Sequence, residues 1–222
     1  GFSPLAFALA IGPRRGFPKA PMEPHNIPYT VLGAGLLWVG WFGFNAGSAL
    51  GANGQAAYAL VNTNTAAAAA AVSWMLFAWR DGHPSVLGIA TGAVVGLVAV
   101  TPAAGFVTPM GALVIGAIAA PISYYAIRFR QGRNLDESLD VWACHGMAGT
   151  WGAIATGLFA VKEVGGTDGL FYGNPAQLWI QVVSVAVTIV FAFVVTFILA
   201  KILDATMGLR VSRPEEEVGL DL

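Results

Sequence analysis

The chain has 222 residues, of which 56% are hydrophobic and only 10% are charged, and its formal net charge is −1. Soluble globular domains carry about 25% charged residues, so this composition and a mean hydropathy of +0.68 indicate a membrane protein instead. The near-zero net charge gives no reason to expect a nucleic-acid partner. A single cysteine, Cys144, excludes an internal disulfide and a cysteine-based metal site, and we predict no metal and no cofactor.

The uncharged stretches place the membrane spans in chain order. The stretches 26–79 and 85–127 are each long enough for two spans, with breaks at 51–54 and 101–105. The uncharged part of the run 141–161 adds one more span, so five membrane helices are predicted within 26–161. The other predicted segments are the end of a truncated membrane helix (1–12), a cytoplasmic loop (13–25), an extracytoplasmic loop (162–175), a last membrane helix (176–203) and a cytoplasmic tail (204–222). This is an all-α, polytopic membrane helical bundle.

The basic residues orient the bundle. Ten of the 11 lysines and arginines fall in alternate connections, and Lys162 is the exception. Cytoplasmic loops carry an excess of basic residues, so the connections that contain the ten are predicted to be cytoplasmic. His25 and His83 fall in these loops, where we expect surface or loop-anchoring roles.

His145 is the only residue that can carry a charge in the run 141–161, which has the length of a membrane helix. Ionisable groups inside membrane helices usually face protein or a water-filled cavity and mark a pathway. On regular α-helical spacing its neighbours are Ala148, Gly149 and Gly152, so that face has almost no side chains. Such a face indicates close helix packing or an open lumen. A structural histidine that only hydrogen-bonds a neighbour remains the alternative.

A second constellation occupies the helix predicted before the break at 51–54. One face of this helix combines aromatic residues, glycines and a terminal hydroxyl: Leu37, Gly40, Trp41, Phe44, Gly47 and Ser48. Aromatic stripes are common in lipid-facing and core surfaces. An aromatic ring beside a hydroxyl can also attract a small cation, and the cation–π part contributes about 0.5–2 kcal/mol. Together with His145, this face predicts a selective pore for a small cation or its neutral form.

Four motifs resemble the ammonium transporter (Amt/MEP/Rh) family, and lean toward its Amt branch. They are Trp-Phe-Gly-Phe-Asn-Ala-Gly-Ser (41–48), Gly-Leu-Val-Ala-Val-Thr-Pro (96–102), Asp-Val-Trp-Ala-Cys-His-Gly (140–146) and Gly-Leu-Arg-Val (208–211). The resemblance implies eleven helices arranged as two inverted five-helix halves plus a last helix, one pore per subunit and a homotrimer. The chain looks like the end of helix 5 followed by helices 6 to 11, that is, the second half of the inverted repeat plus the last helix.

The resemblance also implies roles for residues of the inner part of the pore. His145 is similar to the second of two pore histidines that share a hydrogen bond, Asp140 to the carboxylate on the inner side, and Val141 to a lining residue. Asp140 precedes His145 by five residues, or about 7 Å along a helix. We therefore expect Asp140 to be buried or half-buried.

At the outer end the resemblance assigns a gate and a recruitment site. Phe44 is similar to one phenylalanine of the outer gate and Ser48 to the recruitment serine, and Trp41 lies on the same face. The first pore histidine, the second gate phenylalanine, the recruitment tryptophan and an essential aspartate would precede Gly1. The family tail usually continues into a segment that contacts regulatory proteins, so a PII-type protein is an expected partner.

The function implied is transport of ammonium or ammonia, with methylammonium as an analogue, across the cell membrane by the complete protein, with a cytoplasmic C-terminus. A pore for neutral ammonia, as in the Rh branch, and an ammonium sensor with a fused signalling domain are the alternatives. His145 has no accompanying nucleophile or metal-ligand partner, which argues against an enzyme.

Overall fold

The fold was analysed in a computed structural model, which describes residues 1–20 and 24–219. These residues form helices and connecting loops, with no strand among them. The α-helices are α1 (Phe2–Ile11), α2 (Ile27–Gly47), α3 (Gly54–Arg80), α4 (Val86–Val100), α5 (Pro109–Gly132), α6 (Ala148–Phe159), α7 (Lys162–Gly165), α8 (Pro175–Met207) and α9 (Arg213–Val218). A π-helical segment (Trp142–Met147) leads directly into α6, and a 3₁₀ turn (Leu170–Tyr172) precedes α8.

Polar side chains begin four of these helices. The capping residues Asn26, Asn53, Ser85 and Thr108 each accept a hydrogen bond from the backbone N–H three residues later. Such a cap satisfies one of the N–H groups that have no partner inside the helix. The breaks between helices at 48–53 and 101–108 therefore each end in a capping residue, Asn53 or Thr108, that starts the next helix.

α3 is the centre of the packing and lies against both α4 and α5. Its alanine tract faces them, and Ala66, Ala67 and Ala70 are fully buried. A Cβ atom added at Gly116 of α5 would lie 2.8 Å from the Cα of Ala66, so only glycine permits this approach. Small residues allow membrane helices to pack at backbone contact, as the alanine tract predicts.

Two polar side chains of α3 stabilise breaks in neighbouring elements. The Nδ2 of Asn62 donates to the carbonyls of Ala104 and Val107, at 2.8 and 2.7 Å, in the connection between α4 and α5. Pro121 lies inside α5 and has no N–H to donate to the carbonyl of Ala117. The hydroxyl of Ser73 donates to that carbonyl at 2.7 Å. α3 therefore supplies hydrogen bonds where the backbone of its neighbours lacks them.

Three helices are long and apolar enough to cross a membrane by length and composition: Ile27–Gly47, Pro109–Gly132 and Pro175–Met207. Two shorter helices, Phe2–Ile11 and Val86–Val100, are also apolar. The sequence predicted six full spans. Of the other three candidates, α3 is long enough but carries polar residues such as Asn62, Thr63 and Asn64, which lower its hydropathy. α4 has only 15 residues, and the histidine segment is divided between a π-helix and an α-helix.

Because the uncharged stretch ends at residue 127, the sequence predicts a charged loop from Arg128, but this loop begins later. α5 continues to Gly132 and carries Arg128 and Arg130 within it. Arg130 is 6% exposed because its guanidinium turns back into the protein, where it pairs with Asp140. α8 likewise starts at Pro175 and continues to Met207, so it extends beyond the predicted last span at its carboxyl end.

The two ends of the chain meet at one end of the bundle. Arg210, after α8, donates to the carbonyl of Pro13 at 2.8 Å and pairs with Glu216 of α9, also at 2.8 Å. Arg14 pairs with Asp136, which lies between α5 and the π-helical segment, at 2.6 Å. These contacts connect the loop after α1 with the loop that leads to His145.

Candidate functional site

The segment that carries His145 starts with an unusual backbone conformation. Asp140 has a φ of +54°, in the left-handed region that non-glycine residues seldom adopt. The chain then forms the π-helical segment, in which carbonyls bond to N–H groups five residues later instead of four. Single π turns occur often at functional sites. The regular α-helix that the sequence predicts from residue 141 begins only at Ala148.

Charged groups hold the start of this segment. The Nε of Arg130 donates to the Oδ1 of Asp140 at 2.8 Å, and its Nη1 donates to the carbonyl of Leu135 at 2.6 Å. Glu137, which is 5% exposed, accepts a hydrogen bond from the backbone N–H of Trp142 at 3.1 Å. The side chain of Asp140 is 28% exposed, which agrees with the half-buried position expected for it. Asp140 is therefore an ion-paired residue that fixes the turn into the histidine segment.

His145 lies half-buried at a cavity of about 250 Å³ between the start of α1, the histidine segment and α8. Gly149 and Ala153 continue the same side along α6, and α8 contributes Gln181 and Thr188. In the described part of the chain the imidazole makes no hydrogen bond to protein. No protein hydrogen bond within the described residues therefore orients the imidazole.

The small-residue face predicted beyond His145 shows both of the arrangements that the sequence left open: Gly149 lines the cavity, and Ala148 and Gly152 are in close helix packing. Ala148 is fully buried, and a Cβ atom at Gly152 would lie 2.7 Å from the carbonyl carbon of Ala99. Gly152 packs against α4, Ala148 belongs to the buried core, and neither lines the cavity. The π turn adds a residue to one turn and so rotates the residues before it relative to those after it.

The aromatic face of α2 is open along one side. A groove of about 550 Å³ is lined by glycines, leucines and two aromatic rings: Gly33, Leu36, Leu37, Gly40, Trp41 and Phe44. The rings of Trp41 and Phe44 meet edge to face with their centroids 5.8 Å apart. The indole Nε1 of Trp41 donates to the hydroxyl of Thr101 at 2.8 Å, and Phe44 is 61% exposed. The structure thus fixes one ring by a hydrogen bond and leaves the other accessible.

Ser48 lies one turn beyond Phe44 beside a second cavity, of about 240 Å³. Its hydroxyl donates to the carbonyl of Phe44 at 2.7 Å. The hydroxyl proton is therefore engaged within α2, and the lone pairs of the oxygen remain as acceptors. Thr101 and Gln55 line the same cavity. An aromatic ring and an acceptor oxygen at one cavity suit a small cation that can donate hydrogen bonds.

The structure brings the predicted residues together in two groups. Trp41, Phe44 and Ser48 form one group on α2, and Asp140, Val141 and His145 form another at the histidine segment. Phe44 and Ser48 line the 240 Å³ cavity, whereas His145 lines the 250 Å³ cavity. Val141 is half-buried at the start of the histidine segment.

Sequence reasoning did not identify several residues that position these groups. They are Thr101 at Trp41, Arg130 and Glu137 at the start of the histidine segment, Ser123 at its middle, and Gln181 on α8. Arg130 was assigned to a charged loop. Thr101 lies in the Gly-Leu-Val-Ala-Val-Thr-Pro motif, and its hydroxyl within an apolar segment was the available signal.

Comparison with known proteins assigns the whole chain to one group. A profile described as the Ammonium Transporter Family matches residues 1–222. The ammonium transporter Amt1 of Archaeoglobus fulgidus is 55% identical over 222 residues, which are 100% of this chain and 57% of that protein. The ammonium transporter of Bacillus subtilis is 46% identical over 226 residues, covering 100% of this chain and 55% of its own length.

Solved structures give the same result for the fold. The crystal structure of Candida albicans Mep2 matches with a TM-score of 0.89 and 36% identity, over 96% of this chain and 50% of that one. A structure named Sensor Amt Protein matches with a TM-score of 0.89 and 32% identity, over 100% of this chain and 56% of that one. The all-helical ammonium transporter fold is thereby confirmed. The chain spans about half the length of the relatives that it matches.

Proposed function

The chain belongs to the ammonium transporter family, and on that premise we propose that the protein of which it forms about half moves ammonium or ammonia across a membrane. The observation that carries the proposal is the position of His145. Its imidazole lies at an open cavity between the histidine segment, the start of α1 and α8, without a hydrogen bond to protein in the described residues. An ionisable group in that position marks a pathway more often than a packing contact.

The outer part of the pathway selects the cation. Ammonium and potassium have similar size and the same charge, so charge alone cannot distinguish them. Ammonium also donates hydrogen bonds, which the acceptor lone pairs of Ser48 can receive while the faces of Phe44 and Trp41 attract its charge. This part of the proposal is supported by the accessible ring of Phe44 and by the engaged hydroxyl proton of Ser48.

The inner part handles the proton. Transfer of a bare charge into an apolar lumen is costly, so ammonium gives up a proton and the neutral molecule passes His145. An imidazole can donate through one nitrogen and accept through the other, and its protonation changes near neutral pH. Val141 lines the approach, and Asp140 lies at the inner end, held by Arg130.

The finer assignments belong to the same proposal. We place the protein in the cell membrane as a homotrimer with a cytoplasmic C-terminus, able to contact a PII-type regulatory protein at the cytoplasmic face, and without enzymatic activity. The distribution of basic residues supports the orientation. Single cysteines at the exposed positions of Arg133 and Glu163 test it: a membrane-impermeant thiol reagent added outside intact cells should label only the second.

The experiment that tests transport uses the full-length protein, purified and reconstituted on a solid-supported membrane. Ammonium pulses should give a current and potassium pulses should not. His145→Gln keeps the approximate shape of the side chain but cannot change its protonation near neutral pH, so the ammonium current should fall. His145→Ala also leaves space beside Gly149 and should admit potassium. Full ammonium current with potassium still excluded in both variants would make His145 a structural residue.

An ammonium sensor is the second candidate, and the match to the structure named Sensor Amt Protein favours it. A sensor binds ammonium and changes the activity of a signalling domain. Wild-type protein that binds ammonium and gives no current would support this function over transport. A pore that passes only neutral ammonia would likewise give no current, but it would move the pH inside vesicles after an ammonium pulse.

A further inference from the structure

We propose that Ser123 of α5 is a positioning residue for His145. Its hydroxyl donates to the backbone carbonyl of Ala143 at 2.8 Å, and both residues are fully buried. Ala143 lies two residues before His145, in the middle of the π-helical segment. The inference rests on the proposed function, since it assigns Ser123 to the orientation of the imidazole in the transport pathway.

The π turn needs support because its hydrogen-bond geometry is less favourable than that of an α-helix. If the segment relaxed to an α-helix, the residues on the two sides of the turn would rotate relative to each other by about 100°, the angle between successive α-helical positions. The imidazole of His145 would then leave its present direction relative to the cavity that Gly149 and Ala153 line. The direction of the imidazole therefore depends on the turn.

α5 holds this turn at two points. Ser123 and Arg130 are seven residues apart and so lie on one face of α5. Arg130 fixes the start of the segment through Asp140, and Ser123 fixes its middle through Ala143. Arg130 bonds to Asp140, which lies two residues before the π-helical segment begins, whereas Ser123 bonds directly to the π-helical backbone at Ala143. The contact at Ser123 is thus the more specific one for the orientation of His145.

Ser73 provides a matched control. Its hydroxyl also donates to a carbonyl of another stretch of helix, that of Ala117, at 2.7 Å. That carbonyl has lost its usual partner to Pro121, so the two serines support irregular helical backbone in the same way. Ser73 joins α3 to α5 and does not line the cavity at His145. A merely structural role for Ser123 predicts that the two serines respond alike.

The experiment compares Ser123→Ala, Ser123→Cys and Ser73→Ala in the full-length protein. Ammonium and potassium currents are measured on a solid-supported membrane, and ¹⁵N-histidine NMR spectra are recorded, with His145→Gln identifying the signals of His145. Ser123→Ala should reduce the ammonium current about five- to tenfold, which corresponds to the loss of one buried hydrogen bond, and should shift the ring-nitrogen signals of His145. Ser123→Cys keeps a weak donor of similar size and should fall between wild type and Ser123→Ala.

The control separates the two roles. Ser73→Ala should retain the wild-type current within about twofold and leave the His145 signals in place, even where its unfolding temperature falls as much as that of Ser123→Ala. Unchanged His145 signals in both Ser123 variants would overturn the proposal, as would the same response in Ser73→Ala. Wild-type protein without ammonium current would contradict the proposed function instead, and the NMR comparison would still decide whether Ser123 orients His145.

Discussion

The indole Nε1 of Trp41 lies 2.8 Å from the hydroxyl oxygen of Thr101, and this hydrogen bond connects the aromatic face of α2 with the end of α4. Thr101 in turn donates its proton to the carbonyl of Leu97 at 2.7 Å. The hydroxyl is therefore oriented by its own helix so that a lone pair receives the indole N–H. This relay fixes the plane of the Trp41 ring beside Phe44.

Thr101→Val should impair transport while leaving the fold intact. Valine has the same shape but leaves the indole N–H of Trp41 without its acceptor, a loss of about 0.5–1.5 kcal/mol. We expect methylammonium uptake to fall several-fold at an unchanged amount of protein in the membrane. Thr91→Val is the matched control, since the hydroxyl of Thr91 also bonds back along α4, to Leu87, and does not accept from Trp41. Equal uptake in the two variants would remove Thr101 from the site.

The pair formed by Arg130 and Asp140 should contribute strongly to stability. Arg130→Met leaves a partly buried carboxylate without its cation, which costs about 3–5 kcal/mol when both groups are buried and less here because the Asp140 side chain is 28% exposed. Thermal unfolding of the purified protein should show a large destabilisation for Arg130→Met and for Asp140→Asn, and a double variant that is less destabilised than the sum of the two.

An exposed ion pair formed by Arg128, two residues before Arg130, is the control for this double-variant comparison. Arg128 pairs with Asp81, and the Arg128 side chain is 53% exposed. Arg128→Met should therefore change the stability by no more than about 1 kcal/mol. Additive effects of Arg130→Met and Asp140→Asn would mean that the two residues do not stabilise the protein as a pair.

Acid should weaken the contact between the loop after α1 and the loop before the histidine segment. Burial alone raises the pKa of Asp136, but hydrogen bonds from the side chain and backbone N–H of Arg14 outweigh it and hold the pKa below the usual value of 3.8. A depressed folded-state pKa stabilises the protein above the unfolded pKa, and this stabilisation is lost as the pH falls through the folded value. Asp136→Asn should thus lower the unfolding temperature at pH 6 but not below the folded pKa. A difference from wild type that stays constant between pH 6 and pH 3 would contradict this assignment.

Much of the helical architecture can be predicted from the sequence because its signals are local. Uncharged stretches interrupted by capping residues place α2 to α5, and the alanine tract indicates backbone-close packing of α3. The half-buried position of Asp140 also follows from its distance to His145 along the chain. In each case the residues that determine the structure are neighbours in sequence.

The remaining features depend on contacts between distant residues. Regular spacing predicts an α-helix through His145, whereas hydrogen bonds from Ser123 and Arg130 support a π turn there. The sequence places Arg130 in a loop. Its partner, Asp140, lies ten residues later and has a left-handed backbone conformation that brings it back to α5. The sequence pattern contains no signal for either contact, and it therefore predicts a regular α-helix where the structure has a π turn.

The last prediction concerns Phe44, whose ring is 61% exposed and makes an edge-to-face contact with Trp41. Because so much of the ring is accessible, Phe44→Ala should cost little stability, and its effect should appear in transport. Methylammonium uptake should fall about tenfold or more, since the proposed function assigns the ring to the outer gate and its face to the attraction of the cation. Phe42→Ala is the matched control: the same residue type on α2, two positions earlier and so about 200° around the helix. It should retain uptake within about twofold, a ratio that corresponds to less than 0.5 kcal/mol. Equal loss in both variants would show that α2 needs aromatic bulk in general, and wild-type uptake in Phe44→Ala would exclude Phe44 from the gate.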